Sequence, residues 1–470
     1  MPILPNAILI FTKGYIITSQ LQSHRRLLRL AFPLILANVT TPLLGLVDTA
    51  ILGRMDEVYY LAGASIGALI ITQIYWVCGF MKMSITGLSA EAASKPTDAD
   101  NRQNIVGPLR LLAQGCFIAC LLAFALLLAK PLILHLGLVF SQAEPSVSNS
   151  ITRYFSIRIW GAPAALINMV MIGWLIGQQK TKTVLVLQVI INLANIILSL
   201  LFVFAFNWEI EGVAAATVCA EYLMLFCALW MVWRWATGQS NHLLLQKREL
   251  ITWFSLERLK PLLHLNSHML VRNLALQFTL AFVTLKGAQY GAQAAAINAI
   301  ILQFFTLIAL GLDGIANAVE ALVGEAKGQQ SIPKLKRQVS TGLFWSSALA
   351  ILYTIGFYYL DSPIINLLTH HESIIEGMQS YAFVVLLMPF IAHWCFLFDG
   401  VFVGLSKGKP MRNSMIVSTV GVFLPVWWLF AGLGNMALWI AMLSFLMSRG
   451  VLLGAYYWYV MNRNEQRFLV

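Results

Sequence analysis

The sequence predicts an all-α integral membrane protein with twelve transmembrane helices in two six-helix lobes. Hydrophobic residues make up 59% of the 470 residues, and charged residues only 11%. Because an average soluble domain has roughly 25% charged residues, this chain cannot cover so apolar a core with a polar surface. The apolar runs continue for about twenty residues, the length of a membrane-crossing helix, without the alternation of a β-barrel strand.

Twelve such apolar segments follow one another along the chain. They lie near 30–53, 61–88, 106–134, 154–177, 183–206, 211–234, 263–286, 292–323, 339–360, 379–405, 412–432 and 435–461. Residues 1–29 are predicted to be a cytoplasmic lead-in rather than a cleaved signal peptide, because no basic stretch precedes their short apolar run. Residues 463–470 are predicted to be a cytoplasmic tail.

The longest polar interruption, residues 237–261, lies near the middle of the chain. We expect it to be a cytoplasmic linker between an N-terminal lobe, 30–236, and a C-terminal lobe, 262–462. Each lobe has an even number of predicted spans, so the two would share one orientation. They would then be related by a pseudo-two-fold axis along the membrane normal, as in transporters built from parallel repeats.

The two predicted lobes also resemble each other in sequence. GLSAEAASK at 87–95 is similar to EALVGEAKG at 320–328. A pair of glycines four residues apart recurs in the fourth and tenth spans: Gly173 and Gly177, then Gly400 and Gly404. These matches favour an internal repeat over chance similarity between apolar helices.

The net charge of +11 reflects the orientation of the chain in the membrane and does not indicate a nucleic-acid partner. The basic residues lie singly or in pairs between apolar runs and form no stripe along one element. Loops rich in Lys and Arg alternate with loops poor in them, which predicts that both termini lie in the cytoplasm. We expect the protein to be in the plasma membrane. The six cysteines lie within apolar segments without ligand spacing, so neither a disulfide framework nor a metal site is predicted.

Five carboxylates lie within the predicted spans, although a charge at the bilayer centre costs about 2.5–3.5 kcal/mol on insertion scales. They are Asp48, Glu221, Asp313, Glu320 and Asp399. Asp48 ends a span that contains Pro33 and Pro42, each of which removes a backbone donor and makes the helix easier to bend. We expect a hinged helix that carries one acid; a helix-end acid hydrogen-bonded near the outer surface is the alternative.

Polar side chains of the fifth span fall on one helical face. They are Gln188, Asn192, Asn195 and Ser199. The fourth span adds Asn168, and the sixth adds Thr217 with Glu221 one turn later. We expect these groups to join Asp48 around a cavity that binds a cation or holds a protonatable acid. Hydrogen bonds that only join the helices are an equally open alternative.

In the C-terminal lobe, polar residues of the eighth span share one face: Thr306, Asp313, Asn317 and Glu320. Asn273 and Gln277 share a face of the seventh span next to Arg272, a candidate counter-ion or a member of a structural salt bridge. Asp399 lies among aromatic residues of the tenth span, where it would suit a cationic aromatic substrate.

Sequence motifs for other chemistry are absent: there is no Walker loop, no GxSxG elbow and no HExxH. His264 with His268, and His370 with His371, lack further ligands, so no metal is predicted. The chain is therefore not expected to be an enzyme or to use ATP or a cofactor, and an ion gradient would supply the energy.

Several segments together resemble the DinF branch of the multidrug and toxic compound extrusion (MATE) transporters. They are LRLAFPLILANVTTPLLGLVDTAILG in the first span, GWLIG in the fourth, EGVAAATVCAEY in the sixth, LDGIANAVEALVGEAKG in the eighth, and FDGVFVG with MRNSM near the tenth. The resemblance covers essentially the whole chain. It implies a two-lobed antiporter that exchanges H⁺ or Na⁺ for organic, often cationic and amphipathic compounds.

The resemblance also implies roles for single residues. Asp48 matches the family's first-helix carboxylate, whose protonation is thought to bend the helix at the proline matched by Pro33. Asn195 and Thr217 match further polar ligands of the N-terminal lobe. Ser199 departs from the pattern, because related members often place a second aspartate there. Asp399 is similar to a tenth-helix acid that other branches use for cation coupling.

Losing one carboxylate at Ser199 favours proton coupling through Asp48 over Na⁺ coupling, which stays the first alternative. A lipid-linked saccharide flippase is a second alternative, although it would need a basic cavity. An integral membrane enzyme is a third. We expect small organic substrates and membrane lipids as partners, no nucleic acid, and a functional monomer.

Overall fold

A computed structural model describes residues 4–55, 57–96, 102–238, 252–463 and 465–468. Within these ranges the chain is helical apart from short connections and has no β-strand. Much of the predicted linker, residues 239–251, lies outside the described residues, as do the first three residues of the lead-in and the last two of the tail.

The first nine α-helices of the described chain belong to its N-terminal part. They are α1 (Leu4–Leu52), α2 (Val58–Cys78), α3 (Phe80–Ala92), α4 (Arg102–Leu128), α5 (Lys130–Ser141), α6 (Pro145–Arg158), α7 (Ala162–Gly177), α8 (Thr181–Leu200) and α9 (Glu209–Gly238). A short 3₁₀ turn joins α6 to α7, so that one predicted span is built from two helices. Helices α5, α6 and α7 each begin with a proline in the first turn, where its missing N–H costs no helical hydrogen bond.

Eight further α-helices follow in the C-terminal part of the described chain. They are α10 (Leu256–Gln289), α11 (Ala292–Gly328), α12 (Ile332–Leu368), α13 (Glu372–Gln379), α14 (Ala382–Gly404), α15 (Gly408–Ile416), α16 (Leu424–Leu429) and α17 (Asn435–Arg463). Their core is apolar and aromatic: Phe304, Phe423, Trp439 and Phe445 are fully buried.

Eleven helical stretches of the described chain are long and apolar enough to cross a membrane. The eleventh predicted span, 412–432, is also helical, but a π-helical segment, Val417–Phe423, separates α15 from α16. Neither of those two helices reaches spanning length alone. The predicted all-α membrane fold is confirmed, and the interruption in this span could not be read from hydropathy.

The described residues divide into two compact units. The first unit comprises residues 36–274, and the second comprises the chain up to Ile35 together with the chain from Ala275 onward. The boundaries therefore fall within helix α1 and within helix α10, rather than in the polar stretch 237–261. The first helix of each half contributes one segment to each unit.

In the first unit, a glycine pair on α7 packs directly on the backbone of α3. A Cβ atom at Gly173 would lie 2.4 Å from the carbonyl oxygen of Lys82, and one at Gly177 would lie 2.6 Å from that of Thr86. Distances this short are steric clashes, so only glycine allows the two helices to approach this closely.

The second unit repeats this contact between α14 and α11. A Cβ atom at Gly400 would lie 2.5 Å from the carbonyl oxygen of Ala316, and one at Gly404 would lie 2.5 Å from that of Glu320. The partners are again four residues apart, so the glycine repeat seen in the sequence corresponds to the same helix contact in both units.

Replacing Gly173 with alanine should destabilise the protein, because the added methyl group meets a backbone carbonyl that cannot rotate away. Overpacking of this kind costs roughly 1–3 kcal/mol. The matched control is Gly356→Ala in α12, where nothing lies within 4 Å of the new Cβ. That substitution should stabilise by about 0.5–1 kcal/mol through helix propensity. Thermal unfolding in detergent compares the two; equal shifts would contradict the close-contact interpretation.

Candidate functional site

The carboxylate of Asp48 lies on the part of α1 that belongs to the first unit. Its side chain is half-buried, and its Oδ1 atom is buried with no hydrogen-bond partner in the described part of the chain. Ser199 lies near the carboxylate, and the positive charge of Arg158 acts on it. One carboxylate oxygen is thus available inside the protein to a proton or a cation.

The polar stripe of the fifth predicted span faces the interior of the first unit. Asn192, Asn195 and Ser199 on α8 are buried, whereas Leu193 and Ile197 between them are exposed. This pattern is what one polar face of a helix at the edge of a bundle produces, because the opposite apolar face is left for lipid.

Hydrogen bonds link this stripe to two neighbouring helices. The amide of Asn195 donates to the hydroxyl oxygen of Thr217 on α9 over 2.8 Å, and the Ser199 hydroxyl lies 3.5 Å from the Asn195 carbonyl oxygen. The Asn192 amide donates to the backbone carbonyl of Thr40 on α1 over 3.1 Å. Gln188 donates to Asn192 over 3.4 Å. The structure therefore gathers Asp48, Asn195, Ser199 and Thr217 in one place.

Next to this group lies a buried ion pair between Arg158 on α6 and Glu221 on α9. The guanidinium donates two hydrogen bonds to the carboxylate, with Nη1 2.9 Å from Oε2 and Nη2 2.6 Å from Oε1. Each side chain is about 10% exposed. Glu221, predicted as a carboxylate lining a cavity, instead has a bidentate counter-ion, so its charge is neutralised within the protein.

Neutral groups complete the surroundings of this pair. The Asn168 amide donates to the backbone carbonyl of Glu221 over 2.8 Å, which joins α7 to α9. The Tyr75 hydroxyl accepts from Arg158 at 3.4 Å, and the guanidinium carbon lies 5.4 Å from the centre of the Tyr75 ring. Of the two predicted roles for Asn168, the structure shows the interhelical hydrogen bond.

The second unit contains a similar buried pair, between Asp399 on α14 and Arg449 on α17. Nη2 of Arg449 lies 2.5 Å from Oδ2 of Asp399, and both residues are buried. Arg449 also interacts electrostatically with Asp313 on α11. Asp399, which was predicted to suit a cationic aromatic substrate, is therefore paired with an arginine of the same unit.

The sequence interpretation overlooked Arg158 and Arg449. Both arginines stand inside long apolar segments, and that position alone was a sufficient signal, since an intramembrane charge needs a partner. Which carboxylate each arginine pairs with could not be read from the sequence, because the partners lie on helices 63 and 50 residues apart.

The remaining predicted residues lie on α10 and α11. The Asn273 amide donates to the carbonyls of Val77 and Trp76, over 3.2 and 3.4 Å, where α2 ends. Arg272 is buried and donates to Asn273 over 2.9 Å.

Four predicted residues of the second unit differ in burial. Glu320 is buried, Asn317 and Gln277 are half-buried, and Asp313 is exposed. The eighth-span face is therefore covered at one end and open at the other.

The two prolines of the predicted hinge lie within one continuous helix. α1 runs from Leu4 to Leu52 through both Pro33, which is buried, and Pro42, which is exposed. Pro33 stands two residues before the point at which the helix passes from the second unit to the first. A proline there removes one backbone hydrogen bond, which lowers the cost of bending at that point.

Apolar helices of spanning length, with charged pairs and polar stripes buried among them, define a multi-pass integral membrane protein with a polar interior. The MatE family model matches residues 33–201 and 269–429, on both sides of the central polar stretch. The chain belongs to the MatE family, the multidrug and toxic compound extrusion transporters. It is therefore a transporter and not an enzyme, which excludes the enzyme alternative.

Individual relatives agree with this assignment. The chain is 35% identical to the DNA damage-inducible protein F of Escherichia coli over 92% of either chain. It is 23% identical to a probable multidrug resistance protein NorM of Thermotoga maritima, covering 94% of this chain and 93% of the relative. The predicted resemblance to the DinF branch is confirmed.

Solved structures show the same fold at lower identity. A crystal structure of a MATE protein in the bent conformation matches with a TM-score of 0.82 and 15% identity, over 96% of this chain and 99% of the other. A Vibrio cholerae MATE transporter matches with a TM-score of 0.81 and 19% identity, over 95% and 99%. The twelve-helix, two-lobed fold predicted from the sequence is confirmed.

Removing one partner of the buried Arg158–Glu221 ion pair should destabilise the protein more than removing both. Arg158→Met leaves the Glu221 carboxylate buried without its bidentate partner, which should cost about 3–5 kcal/mol, whereas apolar replacement of both partners is often close to neutral. Thermal unfolding of Arg158→Met, Glu221→Met and the double variant tests this. A double variant no more stable than the worse single variant would contradict the ion-pair interpretation.

Proposed function

We propose that the protein is a proton-coupled antiporter that exports amphipathic, often cationic organic compounds, with Asp48 as the coupling group. The observation that carries this proposal is the buried Oδ1 atom of Asp48, which has no hydrogen-bond partner in the described chain. A proton on this oxygen needs no other ligand, and it removes a charge that is costly to bury.

The neighbouring oxygens favour a proton over Na⁺. The Thr217 hydroxyl accepts from Asn195 and donates to the Val213 carbonyl over 3.0 Å, and the Asn195 carbonyl oxygen lies next to Ser199. A hard cation takes several oxygen ligands, and here it would have to displace these internal hydrogen bonds. It would also gain only one carboxylate, because position 199 is a serine.

Na⁺-coupled antiport is the second candidate. Asp48, Asn195, Ser199 and Thr217 together present carboxylate, amide and hydroxyl oxygens in one place, which is the ligand type that hard cations prefer. A flippase for a pyrophosphate-linked sugar has less support, because in each unit one arginine acts on two carboxylates, which leaves a net negative charge. That charge suits cationic cargo.

Protonation would act through charge and through the hinge. An ionised Asp48 is attracted by Arg158, whereas a protonated one is not, and Arg158 then keeps Glu221 as its partner. The segment of α1 beyond Pro33 would lose one attraction to the rest of its unit and bend at the proline, releasing substrate. The positive loops support a plasma-membrane location with both termini in the cytoplasm.

Asp48→Asn should abolish transport driven by a pH gradient, because the amide cannot take up and release a proton. With one proton exchanged per monovalent cation, two pH units sustain roughly 100-fold accumulation in the wild type. Ethidium uptake into reconstituted vesicles measures this, with Asp361→Asn, a half-buried carboxylate outside both clusters, as the matched control. Normal transport by Asp48→Asn would assign coupling to Asp313, Glu320 or Asp399.

Ser199→Asp should add a response to Na⁺ by restoring a second carboxylate beside Asp48. Under an imposed Na⁺ gradient at equal pH on both sides, the wild type should accumulate no ethidium and the variant should accumulate it. Accumulation by the wild type under that gradient would replace proton coupling with Na⁺ coupling.

A further inference from the structure

A group of basic residues in the first unit lies outside the coupling cluster. Lys95 follows α3, Arg110 lies in α4, and Arg258 lies at the start of α10. All three line two cavities, of about 310 and 250 Å³. Asp48, Arg158 and Glu221 line neither cavity, so this group requires an explanation of its own.

The charges in this group are not balanced within the described chain. Glu91 lies beside one of the cavities, and its Oε1 atom is 3.3 Å from Nζ of Lys95. Nε of Arg110 is buried and has no hydrogen-bond partner among the described residues. The like charge of Arg258 acts on Arg110. Among the described residues, three cationic side chains therefore lie near one carboxylate, and the buried Nε of Arg110 lacks an acceptor that a ligand would supply.

At the equivalent position of the second unit, the basic side chains are paired directly with a carboxylate. The backbone carbonyls of Thr86 and Glu320 are the equivalent contacts of Gly177 and Gly404. Glu91 lies five residues beyond Thr86, and Glu325 lies five residues beyond Glu320. Glu325 is paired with Nη2 of Arg26 at 2.6 Å and with Nζ of Lys334 at 2.5 Å. There the cations contact the carboxylate directly, whereas Arg110 and Arg258 have no such contact in the described chain.

The walls of the basic cavities are held in place by a buried side chain. Gln114, one turn beyond Arg110, donates from Nε2 to the backbone carbonyl of Trp253 over 2.7 Å and to that of Arg258 over 3.3 Å. These hydrogen bonds fix the start of α10 against α4. The backbone that carries Arg258 is thereby held against α4 before any ligand arrives, which reduces the entropy cost of binding one.

We propose that Lys95, Arg110 and Arg258 bind the phosphate group of an anionic ligand, supplied by a phospholipid headgroup or by free phosphate. Guanidinium groups match phosphate oxygens in a bidentate geometry, and basic pockets between helices on the cytoplasmic side of membranes bind anionic headgroups. The loops that carry Lys95 and Arg258 are on the predicted cytoplasmic side. The site adds an anion-binding function to a protein whose proposed cargo is cationic.

Native mass spectrometry of the full-length protein in detergent tests the proposal. Given equal amounts of phosphatidylglycerol and phosphatidylethanolamine, the wild type should retain one phosphatidylglycerol per chain in preference. The Arg110→Gln/Arg258→Gln double variant should lose this preference by roughly tenfold or more. Arg258→Gln alone, at an exposed position, should show a smaller loss and guards against misfolding of the double variant.

The matched control is Arg25→Gln/Lys182→Gln, which removes two exposed positive charges from the predicted cytoplasmic side outside the cavities. It should retain phosphatidylglycerol as the wild type does. Release of the lipid by millimolar inorganic phosphate would show that the site also takes the free anion. Equal retention by wild type and both Gln variants of the cavity, or equal loss in the control, would overturn the proposal. Transport assays of Asp48→Asn are independent of this outcome.

Discussion

The interior of the first unit depends on one arginine placed between two carboxylates. Arg158 holds Glu221 in a close, bidentate pair and acts on Asp48 from further away. A charge taken out of water is tolerated only when a partner is near, so neither Arg158 nor Glu221 can be changed alone without leaving the other exposed to that cost. One arginine and two carboxylates leave one unbalanced negative charge. Because Arg158 pairs with Glu221, that charge is on Asp48, whose Oδ1 atom has no hydrogen-bond partner in the described chain.

The second unit solves the same problem with different residues. Arg449 pairs closely with Asp399 and acts on Asp313. Arg158 lies in the fourth predicted span and Arg449 in the twelfth, so the repeat preserves the backbone contacts more strictly than the charged side chains. In both units, then, one arginine acts on two carboxylates, but the three residues lie on different helices.

Hydropathy was enough to predict the spans, because about twenty apolar residues in a row have one stable structure in lipid. The polar face of α8 could also be predicted, because its polar residues recur with the helical period. The π-helical segment of the eleventh span, Val417–Phe423, could not be predicted, because hydropathy does not distinguish i→i+5 from i→i+4 hydrogen bonding. Nor could the sequence predict that Glu221 pairs with Arg158 and Asp399 with Arg449, because these pairs depend on how distant helices pack. The intramembrane acids indicate buried polar groups, and Arg158 and Arg449, which also lie within predicted spans, indicate their counter-ions.

The glycine contacts bear on how much this chain can change over evolutionary time. At Gly173, Gly177, Gly400 and Gly404, any larger residue pushes two helices apart, whatever its polarity. On the lipid-facing sides, exchanging one apolar residue for another alters little, because acyl chains accommodate any shape. Mutational tolerance should therefore be sharply divided: a few narrow positions fix which helices pair and at what height, and a wide surface is free to drift. A family built this way can diverge far in sequence while its helices keep the same places.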